Sequence, residues 1–132
     1  MSVKTRSALI IIAKQNGGKS TVIRATTGVS RAAQQSGKYM RLKDRRNNSI
    51  TALVYVASPQ ESGVDPNDFL NTPPYSEIAK GDYDILILPL EHNHQWNPQD
   101  YIEQVKNYVN KIYVIFLEAP NQHLISYLKT NN

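Results

Sequence analysis

The sequence predicts a three-layer α/β domain on a mostly parallel sheet of about four or five strands. Two observations carry that prediction. The runs Ala8 to Ala13 and Ile85 to Leu90 are continuously apolar rather than alternating, as expected of strands covered by helices on both faces. Such runs also alternate with segments whose apolar residues recur at helical spacing, the pattern of parallel strands joined by right-handed crossovers. With 132 residues, the chain has room for one core and therefore reads as one domain spanning 1–132.

Composition removes several function classes. No cysteine is present, which excludes disulfide scaffolds, thiolate metal sites and cysteine nucleophiles, and fits a reducing compartment. The apolar runs fall far short of the roughly 20 residues that a spanning helix needs. Met1 to Ser7 lead straight into a strand, without a secretory signal pattern. A soluble, cytoplasmic protein is expected. The net charge of +4 biases it towards anionic partners without choosing among nucleotides, nucleic acids and acidic surfaces.

In chain order, Ser7 to Ala13 reads as a buried strand, and Lys19 to Gln35 as a helix weakened by Gly28 and ended by Gly37. Lys38 to Asn48 carries Lys38, Arg41, Lys43, Arg45 and Arg46 against Asp44 alone. It reads either as a solvated connection or as an electrostatic footprint for nucleic acid or an acidic protein. Ile50 to Ala57 is a second strand. Glu61 to Pro74, punctuated by Gly63, Pro66, Pro73 and Pro74, reads as a long mobile loop with one helical turn at Asn67 to Leu70, capped by Asp65. A short helix from Tyr75 to Lys80 ends at Gly81, and Tyr83 to Leu90 is a third strand. Asn97-Pro98-Gln99-Asp100 is a helix start, after which Tyr101, Ile102, Val105, Tyr108, Val109 and Ile112 keep helical spacing. Ile112 to Leu117 reads as a fourth buried strand and Asn121 to Leu128 as a closing helix. Ligands of such a sheet sit at the carboxyl ends of its strands, where Lys14 to Thr21, Ser58 to Ser62 and Glu91 to Trp96 should converge.

The richest chemistry lies in Ala13-Lys14-Gln15-Asn16-Gly17-Gly18-Lys19-Ser20-Thr21. A buried strand, a glycine turn, then Lys-Ser-Thr opening a helix is the context of a phosphate-binding loop. Backbone N–H groups from Asn16 to Thr21 would point into one concavity, and Gly17 and Gly18 would let phosphate approach. Lys19 would reach the β- and γ-phosphates, and Ser20 would place its hydroxyl on Mg²⁺. The general pattern opens with glycine, where this chain has Ala13.

Lys14 ahead of Gly17-Gly18-Lys19-Ser20-Thr21 resembles the deviant phosphate loop of the partition and septum-site ATPases, a branch of the P-loop NTPases. The resemblance implies a P-loop-like domain, ATP with Mg²⁺, and a homodimer in which the signature lysine, Lys14, reaches the nucleotide of the facing subunit. Lys14 and Lys19 would be the catalytic lysines. Ala52 to Gln60 is similar to the family's strand ending in Asp-x-Asp-Pro-Gln, but Val56 and Ser58 replace both aspartates. Pro89 stands where the acid at the end of the third strand belongs. These departures point to binding with weak or absent hydrolysis. Gly18 to Val29 is also similar to the first helix of translational GTPases. No Asp-x-x-Gly or Asn-Lys-x-Asp follows, so a small P-loop kinase or GTPase stands third, behind an adaptor on the same scaffold that uses the basic segment.

Glu91 is the acid just beyond the third strand and a candidate Mg²⁺ ligand through water, or else a surface residue. Asp65 and Asp68 could approach a γ-phosphate on loop closure. Glu91, His92 and His94, with His123, form a weaker metal candidate. Trp96, Tyr39, Tyr75 and Tyr101 read either as stacking platforms for a base or as packing.

Overall fold

The structure, a computed structural model, describes residues 5–13, 37–92 and 94–117. It is α/β, with one five-stranded, mostly parallel sheet and few helices. The helices expected over Lys19 to Gln35 and Asn121 to Leu128 lie outside the described residues.

Ser7–Ala13 forms β1, a central strand, with Ile10, Ile11 and Ile12 essentially inaccessible to solvent. Burying each such side chain contributes roughly 1.5–3 kcal/mol, so this strand has to be covered on both faces and both edges. Both edges are met by parallel neighbours, β4 (Ile85–Glu91) and β5 (Lys111–Phe116). The register runs from Ser7 opposite Ile85 to Ala13 opposite Glu91, and from Ser7 opposite Lys111 to Ile12 opposite Phe116. On the far side of β4 lies β3 (Ser49–Val54), and β2 (Lys38–Lys43) closes that edge, giving the order β2-β3-β4-β1-β5.

Alternation divides the strands between two cores. Ala8, Ile10, Ile12, Leu53, Tyr55, Leu86, Leu88 and Leu90 face a large core shared with Phe69, Tyr75, Ile78, Tyr101, Ile102 and Val105. Ile11, Ala52, Val54, Val56 and Ile87 face the other side, where no described helix packs. Both described crossovers, from β3 to β4 and from β4 to β5, therefore lie on the same face. Connections of one hand give this result when successive strands advance in one direction across a sheet.

Three local expectations need correction. The basic segment is not a connection. Met40 and Leu42 alternate with exposed residues and pack on the second core, so Lys38–Lys43 becomes an edge strand antiparallel to β3. A three-residue loop closes the hairpin. Asn47 N–H donates to Asp44 C=O, Asn47 takes φ 66°, and the Asp44 carboxylate accepts from the N–H groups of Arg46 and Asn48. Those bonds, Asn48 first, hold the Asp44 carboxyl below the usual carboxylate range.

The helix begun at Asn97 is also shorter than its periodicity suggests. Helix α2 spans Pro98–Val105, and a turn at 106–108 ends it, because Asn110 and Lys111 must pair with Arg6 to start β5. Its first turn has Pro98 and Asp100 as expected, but Asn97 makes no side-chain cap bond. Finally, the last strand is an edge rather than a buried strand. Ile112, Val114 and Phe116 pack on the large core, whereas Tyr113 and Ile115 are 53% and 40% exposed.

The loop from Glu61 to Pro74 is tied down rather than free. Tyr101 Oη donates to Val64 C=O, Tyr55 Oη to Pro74 C=O, Tyr75 Oη to Ala57 C=O and Gln104 Nε2 to Pro66 C=O. Phe69 sits fully buried at the head of the one helical turn, a 3₁₀ turn over Phe69–Asn71. Burial pushes the Tyr75 phenol up to about 12 and those of Tyr55 and Tyr101 higher, so all three remain neutral donors. Tyr75 and Tyr101 are thus packing residues, not platforms for a base.

Helix α1 (Glu77–Lys80) is too short to be stable alone and is held by Ile78 in the core. Gly81 ends it in the left-handed region, φ 71°, and its carbonyl accepts from Arg6 Nε. Arg6 also donates from Nη1 to Tyr108 C=O and from its backbone N–H to Asn110 Oδ1, fastening the amino ends of the strands. A Cβ on Gly81 would sit 2.7 Å from Arg6 Nη2. Gly81→Ala should therefore cost about 2 kcal/mol, from backbone strain plus the displaced guanidinium, read as a lower urea midpoint at unchanged slope. A loss under about 0.5 kcal/mol would contradict this role.

Candidate functional site

At the carboxyl edge of the sheet, the strand order sets the geometry. The chain leaving β1 re-enters at β2 on one side, whereas the chain leaving β4 steps over β1 to β5 on the other. Adjacent strands whose connections run in opposite directions across the sheet mark a topological switch point, and here they are β1 and β4. The two strands stay in register to their ends. Ala13 is opposite Glu91, and His92 N–H donates to Ala13 C=O at 3.2 Å.

Pro89 explains why this edge opens. Successive residues of a parallel strand direct their backbone groups alternately to the two neighbours. Ile87 C=O accepts from Tyr55 N–H on the β3 side and His92 donates on the β1 side, so Pro89 is the next residue aimed at β3. It has no N–H to offer, and the β3–β4 ladder stops with Val54 opposite Ile87. Glu91, aimed the same way, needs another partner. The Gln60 side chain supplies it, with Oε1 accepting from Glu91 N–H at 2.7 Å and Nε2 donating to Glu91 C=O at 2.7 Å. The same Nε2 donates to Trp96 C=O at 2.9 Å. The amide thus stands in for the missing length of β3 and draws together two of the three expected site segments.

The third segment is the glycine loop. Lys14, Asn16, Gly17, Gly18, Lys19, Ser20 and Thr21 lie outside the described residues, which place only the loop's point of departure at Ala13. Glu91 is not a surface residue: it is 4% exposed at the strand end. Val56 is core, and Ser58 Oγ accepts from Glu61 N–H to start the turn that delivers Gln60. Val56 and Ser58 therefore have structural roles.

His92 and His94 do not act as a pair. His92 is 3% exposed, and both of its ring nitrogens lack hydrogen-bond partners among the described residues. His94 is half-buried, and its Nδ1 accepts from Trp96 N–H at 3.1 Å while the two rings lie 5.5 Å apart. Among the described residues, no three His, Asp or Glu side chains converge on a metal-sized point, and His123 lies outside them. Asp65 is engaged in its own turn, accepting from Asn67 N–H at 2.7 Å, but the residue at the cap position of the 3₁₀ turn is Asp68, not Asp65. Asp65 lines a cleft of about 410 Å³ with Asn67, Trp96, Asp100 and Glu103, while Asp68 is exposed beside the 3₁₀ turn.

Gln60 lies within the expected segment Ser58 to Ser62, but nothing in the sequence shows that its amide bridges two strands, and Arg6, an arginine before a strand, carries no spacing signal as a frame residue. Comparison of the chain with known protein families, curated sequences and solved structures finds no match. No described helix is long and apolar enough to cross a membrane.

Removing the Gln60 amide leaves a buried N–H and two carbonyls short of partners, each worth roughly 1–3 kcal/mol when unsatisfied. Gln60→Ala should lower unfolding stability by about 2–4 kcal/mol and raise amide exchange at Glu91 more than at Leu86. Equal exchange at the two positions would show that Gln60 does not organise this edge.

Proposed function

We propose that the chain is a small nucleotide-binding protein of the partition-ATPase type, which takes ATP with Mg²⁺ at the carboxyl end of β1 on a three-layer P-loop-like domain. The observation that carries this reading is the register of Ala13 with Glu91. It sets the departure of the Lys14 to Thr21 loop one strand spacing, about 4.8 Å, from the backbone of Glu91, a buried acid at a topological switch point. In this reading the backbone of Asn16 to Thr21 and the Lys19 ammonium hold phosphate, and Ser20 holds Mg²⁺. Lys14 reaches the nucleotide of a second subunit.

The acids explain why turnover should be weak or absent. Pro89 occupies the position of the usual carboxylate. Glu91 leaves the same face of β4 two residues later, about 6.6 Å along the strand, a reach suited to Mg²⁺ through water rather than directly. Val56 and Ser58 contribute no charge.

Calorimetric titration with ATP and Mg²⁺ tests the assignment. Wild-type protein should bind, and Lys19→Ala should lose at least about tenfold in affinity, 1.4 kcal/mol, by removing a charge-assisted contact. Glu91→Gln should weaken binding with Mg²⁺ and leave Mg²⁺-free binding unchanged. Unchanged affinity in Lys19→Ala would remove the reading.

A further inference from the structure

The β2–β3 hairpin carries five cations within nine residues, and their arrangement does not follow from the fold. Lys38, Arg41 and Lys43 lie on the edge strand, with Arg45 and Arg46 at the tip. None of the five makes an ion pair with a carboxylate among the described residues. The acid in their midst, Asp44, is turned inward on Arg46 N–H, Asn48 N–H and the Asn48 amide, so it fixes the loop. The cations are thus mounted on a hairpin whose other face is anchored by Met40 and Leu42 in the second core.

An edge strand needs a charge or two to repel a second edge. Protection of that kind does not account for Tyr39, which shares its strand face with Arg41 and Lys43 and is 41% exposed. An open aromatic ring on an edge invites contact. Its hydroxyl donates to Glu77 Oε1 at 3.0 Å, which fixes the ring, and burial together with that bond pushes the phenol up to about 12, so it stays neutral. Glu77 in turn is held by Lys80 at 2.6 Å.

We propose that this hairpin binds single-stranded nucleic acid, with one base stacked on Tyr39 and the backbone tracked by Arg41, Lys43, Arg45 and Arg46. Residues two apart on a strand repeat every 6.7 Å or so, which sets Arg41 and Lys43 as successive contacts leading from the ring to the tip. The path runs along the strand rather than into the adjoining cleft of about 480 Å³, where Glu77 and Asp82 offset Lys80 and Arg41. A base is favoured over an acidic peptide because the ring lies in line with the charges. A single strand is favoured over a duplex because a duplex hides its base faces. The proposal is independent of the phosphate loop and concerns nucleotide-free protein.

Fluorescence anisotropy with a labelled oligothymidine of about twelve nucleotides and a duplex of equal length provides the test. The single strand should bind at about 50 mM salt, with log K falling against log salt at a slope near −2.8 for four phosphate contacts. Arg45→Ala with Arg46→Ala should reduce that slope by about 1.4. Tyr39→Leu should weaken binding about five- to 150-fold, whereas Tyr39→Phe, which keeps the ring and loses only the Glu77 bond, should bind as wild type. No binding at low salt overturns the proposal. So does a duplex held as tightly as the single strand, displacement by polyglutamate as readily as by oligonucleotide, or a Tyr39→Leu variant that binds unchanged while its circular dichroism shows it folded.

Discussion

Everything described in this molecule depends on burying β1. A strand with isoleucine on both faces cannot lie at an edge or against water, and its two parallel neighbours satisfy that demand along nearly its whole length. Placing β1 between β4 and β5 forces the chain to step over it, and that step creates the switch point. The position of the candidate site is therefore a consequence of packing.

Pro89 is the second determinant. By withholding one N–H in the middle of the sheet, it ends the β3–β4 ladder and frees the chain after Tyr55 to turn into the anchored segment 56–76. The gap is closed by the Gln60 amide, a side chain doing the work of a strand. Glu91, held by that amide through its backbone, is buried at the strand end. The residue that replaces an expected acid is thus also the one that shapes the surroundings of the acid that remains.

Much of the fold was legible because long apolar runs have few solutions. The first and third strands, the Gly81 stop and the Asn97-Pro98 start all follow from local chemistry. Errors arose where tertiary context prevailed. Met40 and Leu42 supplied a period-two signal too short to stand out among charges, and became decisive only once a second core lay beneath them. Helical spacing ran on through Tyr108 and Val109 because a helix and the turn after it can present the same residues to a core, while Arg6 takes the backbone of Asn110 and Lys111 for β5. At the site, Glu91 could be marked from sequence but its burial could not. Gln60 fell inside an expected site segment, but its bridging role could not be read, since that role exists only where β3 and β4 part.

Amide hydrogen exchange with and without ATP and Mg²⁺ tests whether nucleotide binds at the carboxyl end of β1 beside Glu91, as proposed. Protection should rise from Ala13 through Thr21 and at Glu91 and His92, while Ser7, Ile85 and Lys111 at the opposite edge stay unchanged. Protection confined to the opposite edge or to the β2–β3 hairpin, or no change anywhere at saturating nucleotide, would contradict it.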